Sequence, residues 1–168
     1  PNAARSRIMG GGSSALRSLP HRSILDALRD RLPDVSYEQG CLIDKHAPFP
    51  APEQLVGPDG APGLEVRFVN GSDPAGEAAY VTRIHEPTIG FFGSVPPGVG
   101  PGECVVTVRG SYLPRVGGAH EVGVIVTGSP EVRVGDATLI AAGTRLPAGD
   151  AFYGFGSAEQ RATVDLRA

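Results

Sequence analysis

The sequence predicts a mainly β fold, an antiparallel β-sandwich preceded by a small α/β segment. Three observations carry this expectation. After Leu64 the chain runs as short alternating segments of β-branched and aromatic residues separated by turn residues, the pattern of a sandwich or barrel. Glycine (24) and proline (16) are too frequent among 168 residues for a helical protein, but they suit short strands joined by tight turns. No helix-length periodic segment appears after Leu32.

Taken in order, residues 1–22 read as loop, since Gly10-Gly11-Gly12-Ser13-Ser14 is too glycine-rich for a helix or strand interior. A helix follows. Ser23 is a suitable N-cap, and Asp26, three residues on, places negative charge at the positive helix end. Ile24, Leu25, Leu28 and Leu32 share one face, and Pro33 ends the helix. Val35-Ser36-Tyr37-Glu38 alternates as a short strand, and helix followed by strand is the grammar of an α/β layer. Residues 44–63, with prolines at 48, 50, 52, 58 and 62, read as an extended linker. Strands are then expected at Leu64–Phe68, Ala79–Ile84, Cys104–Gly110, His120–Thr127, Val132–Val134, Ala137–Ile140 and Ala162–Leu166. Gly135-Asp136 is a two-residue hairpin signal between the fifth and sixth of these. The last strand stops near Ala168 with no turn after it, so the sandwich is expected to lack a final strand.

Composition narrows the function classes. Hydrophobic residues at 40% allow a buried core. A net charge of −3 without like-charge runs argues against a nucleic-acid partner. No apolar stretch approaches the roughly 20 residues of a membrane span, so no membrane partner is expected. Cys41 and Cys104 form no metal spacing and are expected as unpaired thiols. The four histidines are far apart and read as surface or turn residues rather than metal ligands.

No GxSxG, HExxH or Walker motif occurs, and no acidic residue stands in a distinctive context, so no catalytic residue is assigned. Gly149-Asp150-Ala151-Phe152-Tyr153-Gly154-Phe155-Gly156-Ser157 does stand out. Ring faces at Phe152, Tyr153 and Phe155 could stack on the C–H face of a pyranose, or the tip could fold back on the core. Phe91-Phe92 lies between Gly90 and Gly93, and a core role is expected for at least one of the pair.

Several stretches resemble a known family. Pro1-Asn2-Ala3, Met9-Gly10-Gly11-Gly12-Ser13-Ser14-Ala15-Leu16, Ser23–Leu28 and Val35-Ser36-Tyr37-Glu38-Gln39-Gly40-Cys41 are similar to the second domain of family 3 glycoside hydrolases. In that family a GGGS loop follows an "IGPNA" strand end and leads to a strand ending "YxxGC". Val66–Phe68, Val106–Pro114, Gly117–Gly123, Glu131–Val134 and Gly149–Ser157 resemble the protective-antigen (PA-fourteen) domain that many β-glucosidases of this family carry as an insertion at this place. One departure is Gly135-Asp136, where the family usually has Asp-Gly.

The resemblance implies residues 1–43 as part of the α/β domain, 44–63 as linker and 64–168 as the inserted β-sandwich. It implies a retaining β-glucosidase in which the nucleophile and acid/base lie outside this stretch. The inserted domain would shape the aglycone subsite for an oligosaccharide or glycoside, with Phe152, Tyr153 and Phe155 first and Phe91 and Phe92 second as contacts. No cofactor or metal is implied, and the expected partners are the substrate and the remaining domains of the same polypeptide. The alternative is a carbohydrate-binding or adhesion module without catalysis.

Overall fold

Strand alternation builds the centre of the molecule. In the computed structural model, which describes residues 3–4, 20–41, 44–90 and 94–168, the chain forms two compact units, residues 1–45 and 46–168. The architecture is mainly β, and every strand pairing among the described residues is antiparallel.

In the first unit, helix α1 (Ile24–Arg29) begins as the sequence predicts. The Ser23 hydroxyl oxygen accepts the Asp26 backbone N–H at 3.0 Å and the hydroxyl donates to the Asp26 carboxylate at 2.7 Å. The helix ends at Arg29, with Asp30 as its C-cap, and bonds from Arg31 N and Leu32 N to Leu28 O carry the turn on toward Pro33. Leu25 is buried, but Ile24, Leu28 and Leu32 are exposed, so only one of the four predicted core residues is buried. Val35–Glu38 is not a strand. Extended backbone becomes a strand only when its N–H and C=O groups find a ladder, and this segment has none among the described residues.

The second unit is built on β2 (Leu64–Asn70), flanked by β3 (Ala78–Ile84) and β4 (Cys104–Arg109). Its register sets Val66 opposite Thr82 and Val108, and Phe68 opposite Tyr80 and Val106. Val66 is completely buried, and Phe68 and Val69 nearly so. A register shift between Phe68 and Val69 lets both face the core. At the strand end the Asn70 amide donates to Gly98 O at 3.0 Å and accepts from Gly100 N at 2.9 Å, fixing the loop before β4.

The segment read as a linker contains structure. Pro52–Gln54 is a 3₁₀ turn, and β1 (Leu55–Val56) pairs with β5 (Ser111–Tyr112), a pair the sequence reading missed. The Gln54 side chain accepts the Ala51 N–H and donates to Leu113 O. On β3, the Arg83 guanidinium donates to the carbonyls of Ala61 and Gly63 at 3.2 and 3.3 Å and to Asp59 at 2.7 Å. Prolines cannot donate, so this segment is held by donors reaching into its carbonyls. Residues 46–63 accordingly fall within the second unit.

Strand β6 (Gly118–Val124) pairs with β9 (Gln160–Leu166) over seven residues, so the last strand has a partner earlier in the chain. Strands β7 (Val132–Val134) and β8 (Ala137–Ile140) form the predicted hairpin. Gly135 takes φ of 56° at the first turn position, which type II′ hairpins reserve for glycine. The Gly-Asp order thus fits a tight turn as well as Asp-Gly does.

Candidate functional site

The aromatic loop stands on a closed base. Ala148 and Ser157 form an antiparallel bridge, Gly149 N donates to Gly156 O at 2.9 Å, and Ala158 N donates to Pro147 O at 2.8 Å. A side chain at Gly149 would place Cβ 2.3 Å from Ser157 O, so only glycine permits this approach. Ser157 is buried and ties the base to the end of β6. Its N–H donates to Val126 O at 2.9 Å and its hydroxyl oxygen accepts the Val126 N–H at 3.2 Å.

From this base Ala151–Gly154 rise as a 3₁₀ turn, not the simple hairpin tip the sequence suggests. Gly156 N donates back to Ala151 O at 3.0 Å and closes the turn. Tyr153 has φ of 58°, alone among described non-glycine residues in taking a left-handed backbone. An aromatic residue there costs about 1–2 kcal/mol. Tyr153 is 73% and Phe155 82% accessible. Folding back onto the core therefore fails for these two rings. Of Phe152 only the backbone is described, and Phe91 and Phe92 lie outside the described residues, so the structure brings together two of the five predicted contacts.

Below the loop, at the start of β9, sits a charge cluster that sequence reasoning did not single out. Glu159, 9% exposed at its side chain, accepts the Ala47 N–H at 2.8 Å and is paired by Arg161 at 2.7 Å. His46 Nδ1 lies 3.5 Å from the same carboxylate, beyond a good hydrogen bond. Arg161 also pairs with Glu121 across the β6–β9 ladder. Burial works to raise the Glu159 pKa, but the Ala47 N–H and the Arg161 guanidinium outweigh it and hold the carboxyl below its usual range. Gly123 supplies the space: a Cβ there would lie 2.3 Å from the Glu159 carboxylate. The only cue in sequence is glycine inside a strand pattern, which marks close approach without naming what approaches.

The geometry is thus two exposed aromatic rings on a hydrogen-bonded base within an antiparallel β unit. No family model matches the chain. Proteins named as probable β-glucosidases match it along essentially its whole length, which bears out the resemblance to β-glucosidases read from the sequence. The chain is 27% identical over 99% of its length to a protein named "Probable beta-glucosidase K" from Emericella nidulans, of which it spans 20%. It is 28% identical over 99% to the "Probable beta-glucosidase K" of Aspergillus fumigatus, spanning 22% of that protein. It is 26% identical over its full length to "Probable beta-glucosidase I" of Aspergillus niger, spanning 21%. Two crystal structures of the β-glucosidase from Kluyveromyces marxianus share the fold over 98% of the chain. Their TM-scores are 0.74 and 0.71 at 21% and 22% identity, and the chain covers 21% and 20% of them; the second holds glucose. The chain thus spans about a fifth of the length of the curated relatives it matches.

Proposed function

We propose that this chain is part of a retaining β-glucosidase that releases terminal β-D-glucosyl residues, and that its second unit is an inserted protective-antigen-like sandwich shaping the aglycone subsite. The observation that carries the second point is the pair of rings, Tyr153 and Phe155, exposed on a hydrogen-bonded base at a left-handed backbone position. Strain of this kind persists where the surrounding structure over-determines it and where it serves a site. β-Glucosidase relatives along the whole chain support the first point.

In this reading the nucleophile and acid/base come from the rest of the polypeptide, and the reaction proceeds through a covalent glycosyl-enzyme intermediate. Residues 1–43 contribute to the α/β domain. Tyr153 and Phe155 offer ring faces to the sugar beyond the scissile bond, and Phe152, Phe91 and Phe92 are further candidates for the same contact. Each stacked ring contributes about 1 kcal/mol, a factor of about five in affinity.

The test is kinetic. In the full-length polypeptide, changing Tyr153 and Phe155 together to alanine leaves kcat/KM on a small aryl β-glucoside within about twofold and changes the ratio between disaccharide and longer oligosaccharides by about fivefold or more. An unchanged chain-length profile contradicts the subsite role.

A further inference from the structure

Next to the aromatic loop, two more turns converge on a polar cleft. Val126–Ser129 forms one wall, Gly143–Leu146 another, and Gly154–Ser157 the third. The cleft is open to solvent, with a volume of about 350 Å³. Its lining residues include one that is charged, Arg145, four that carry hydroxyls, Thr127, Ser129, Thr144 and Ser157, and one aromatic, Phe155. Arg145 is exposed and makes no hydrogen bond or ion pair with any described residue. Each wall contains a glycine in the left-handed region, Gly128, Gly143 and Gly154, with open space where a Cβ would stand.

We propose that this cleft binds an anionic sugar, a monosaccharide or glycosyl unit carrying a carboxylate or phosphate. The guanidinium fork is planar and matches either oxyanion with two parallel hydrogen bonds. Thr127 and Ser129 offer donors and acceptors for ring hydroxyls, and Phe155 at the rim offers an apolar face. A neutral sugar would use the hydroxyls and the ring but would leave Arg145 unpaired. The cleft shares Phe155 with the subsite reading above and rests otherwise on Arg145, so the two are separable.

The experiment titrates the complete polypeptide, wild type and Arg145→Gln, with methyl β-D-glucuronide, glucose 6-phosphate and methyl β-D-glucoside, followed by saturation-transfer NMR, and with inorganic phosphate, followed by its competition against the signal of the bound anionic sugar. Arg145 is exposed, so the variant is expected to melt with the wild type. The expected result is saturable binding of an anionic sugar, weakened about tenfold by Arg145→Gln and weakened by added salt, with binding of the neutral glucoside unchanged by the substitution. Preference for the glucuronide assigns a carboxylate, and preference for the sugar phosphate a phosphate. Binding of neither anionic sugar, equal binding by Arg145→Gln, or inorganic phosphate binding as tightly as the sugars would overturn the proposal. Failure here with an intact chain-length effect of Tyr153 and Phe155 leaves the subsite reading standing, and the reverse outcome leaves the cleft standing.

Discussion

Tyr153 concentrates the residue-scale argument, because its backbone strain and its exposed ring are separable. Tyr153→Gly removes both, whereas Tyr153→Ala removes the ring and keeps most of the left-handed penalty. Glycine is therefore expected to be more stable than alanine at this position by about 1 kcal/mol, read from chemical denaturation. Equal stability would mean that the strain is not borne at this residue. Glu159 gives a second prediction. Its folded carboxyl sits below the ordinary value of 4.5, so the folded state binds fewer protons than the unfolded chain near that pH. Its stabilisation is complete above the ordinary value and is lost as pH falls through the lowered folded value. Glu159→Gln should thus lower stability at neutral pH and flatten the acid limb of the stability–pH curve. An unaltered acid limb would contradict the geometry around Ala47 and Arg161.

Among the elements, β2 and the proline-rich segment are held differently. β2 depends on burial: Val66→Ala opens space at a fully enclosed position between two paired strands and should cost about 2–3 kcal/mol. Residues 57–63 depend on polar contacts, since Arg83 supplies donors to two carbonyls there and to Asp59. The exposed Asp59 pair is worth little by itself. Arg83→Met should chiefly accelerate hydrogen exchange at Gly57 and Gly60, whose N–H groups bond within this turn, with a smaller loss of about 1 kcal/mol in global stability. The same contrast explains what the sequence made legible. Strands β2, β3, β4 and β9 announce themselves because alternating β-branched residues can satisfy only one geometry. β1 was hidden because it is two residues long and lies among prolines, and its pairing with β5 depends on chain distant in sequence. Val35–Glu38 was over-read for the converse reason: alternation describes a residue's two faces, not whether a partner strand exists.

For the molecule as a whole, the candidate site was legible in its residues but not in its form. Glycine-framed aromatics pointed to the loop, yet its base is held by bonds from Ser157 to Val126 and from Ala158 to Pro147, and no local pattern encodes these or the left-handed Tyr153. The cleft beside it joins three turns spread from residue 126 to 157, so it becomes visible only after folding. What unites these features is a division of labour. In the proposed reading, structure in this stretch positions rings and hydroxyls, while bond cleavage falls to carboxylates elsewhere in the polypeptide. Trapping the glycosyl-enzyme intermediate of the full-length polypeptide with a 2-deoxy-2-fluoro-β-glucoside, followed by peptide mass mapping, addresses that division directly. The account predicts stoichiometric labelling of a carboxylate outside these 168 residues. A label on any aspartate or glutamate within them would contradict it.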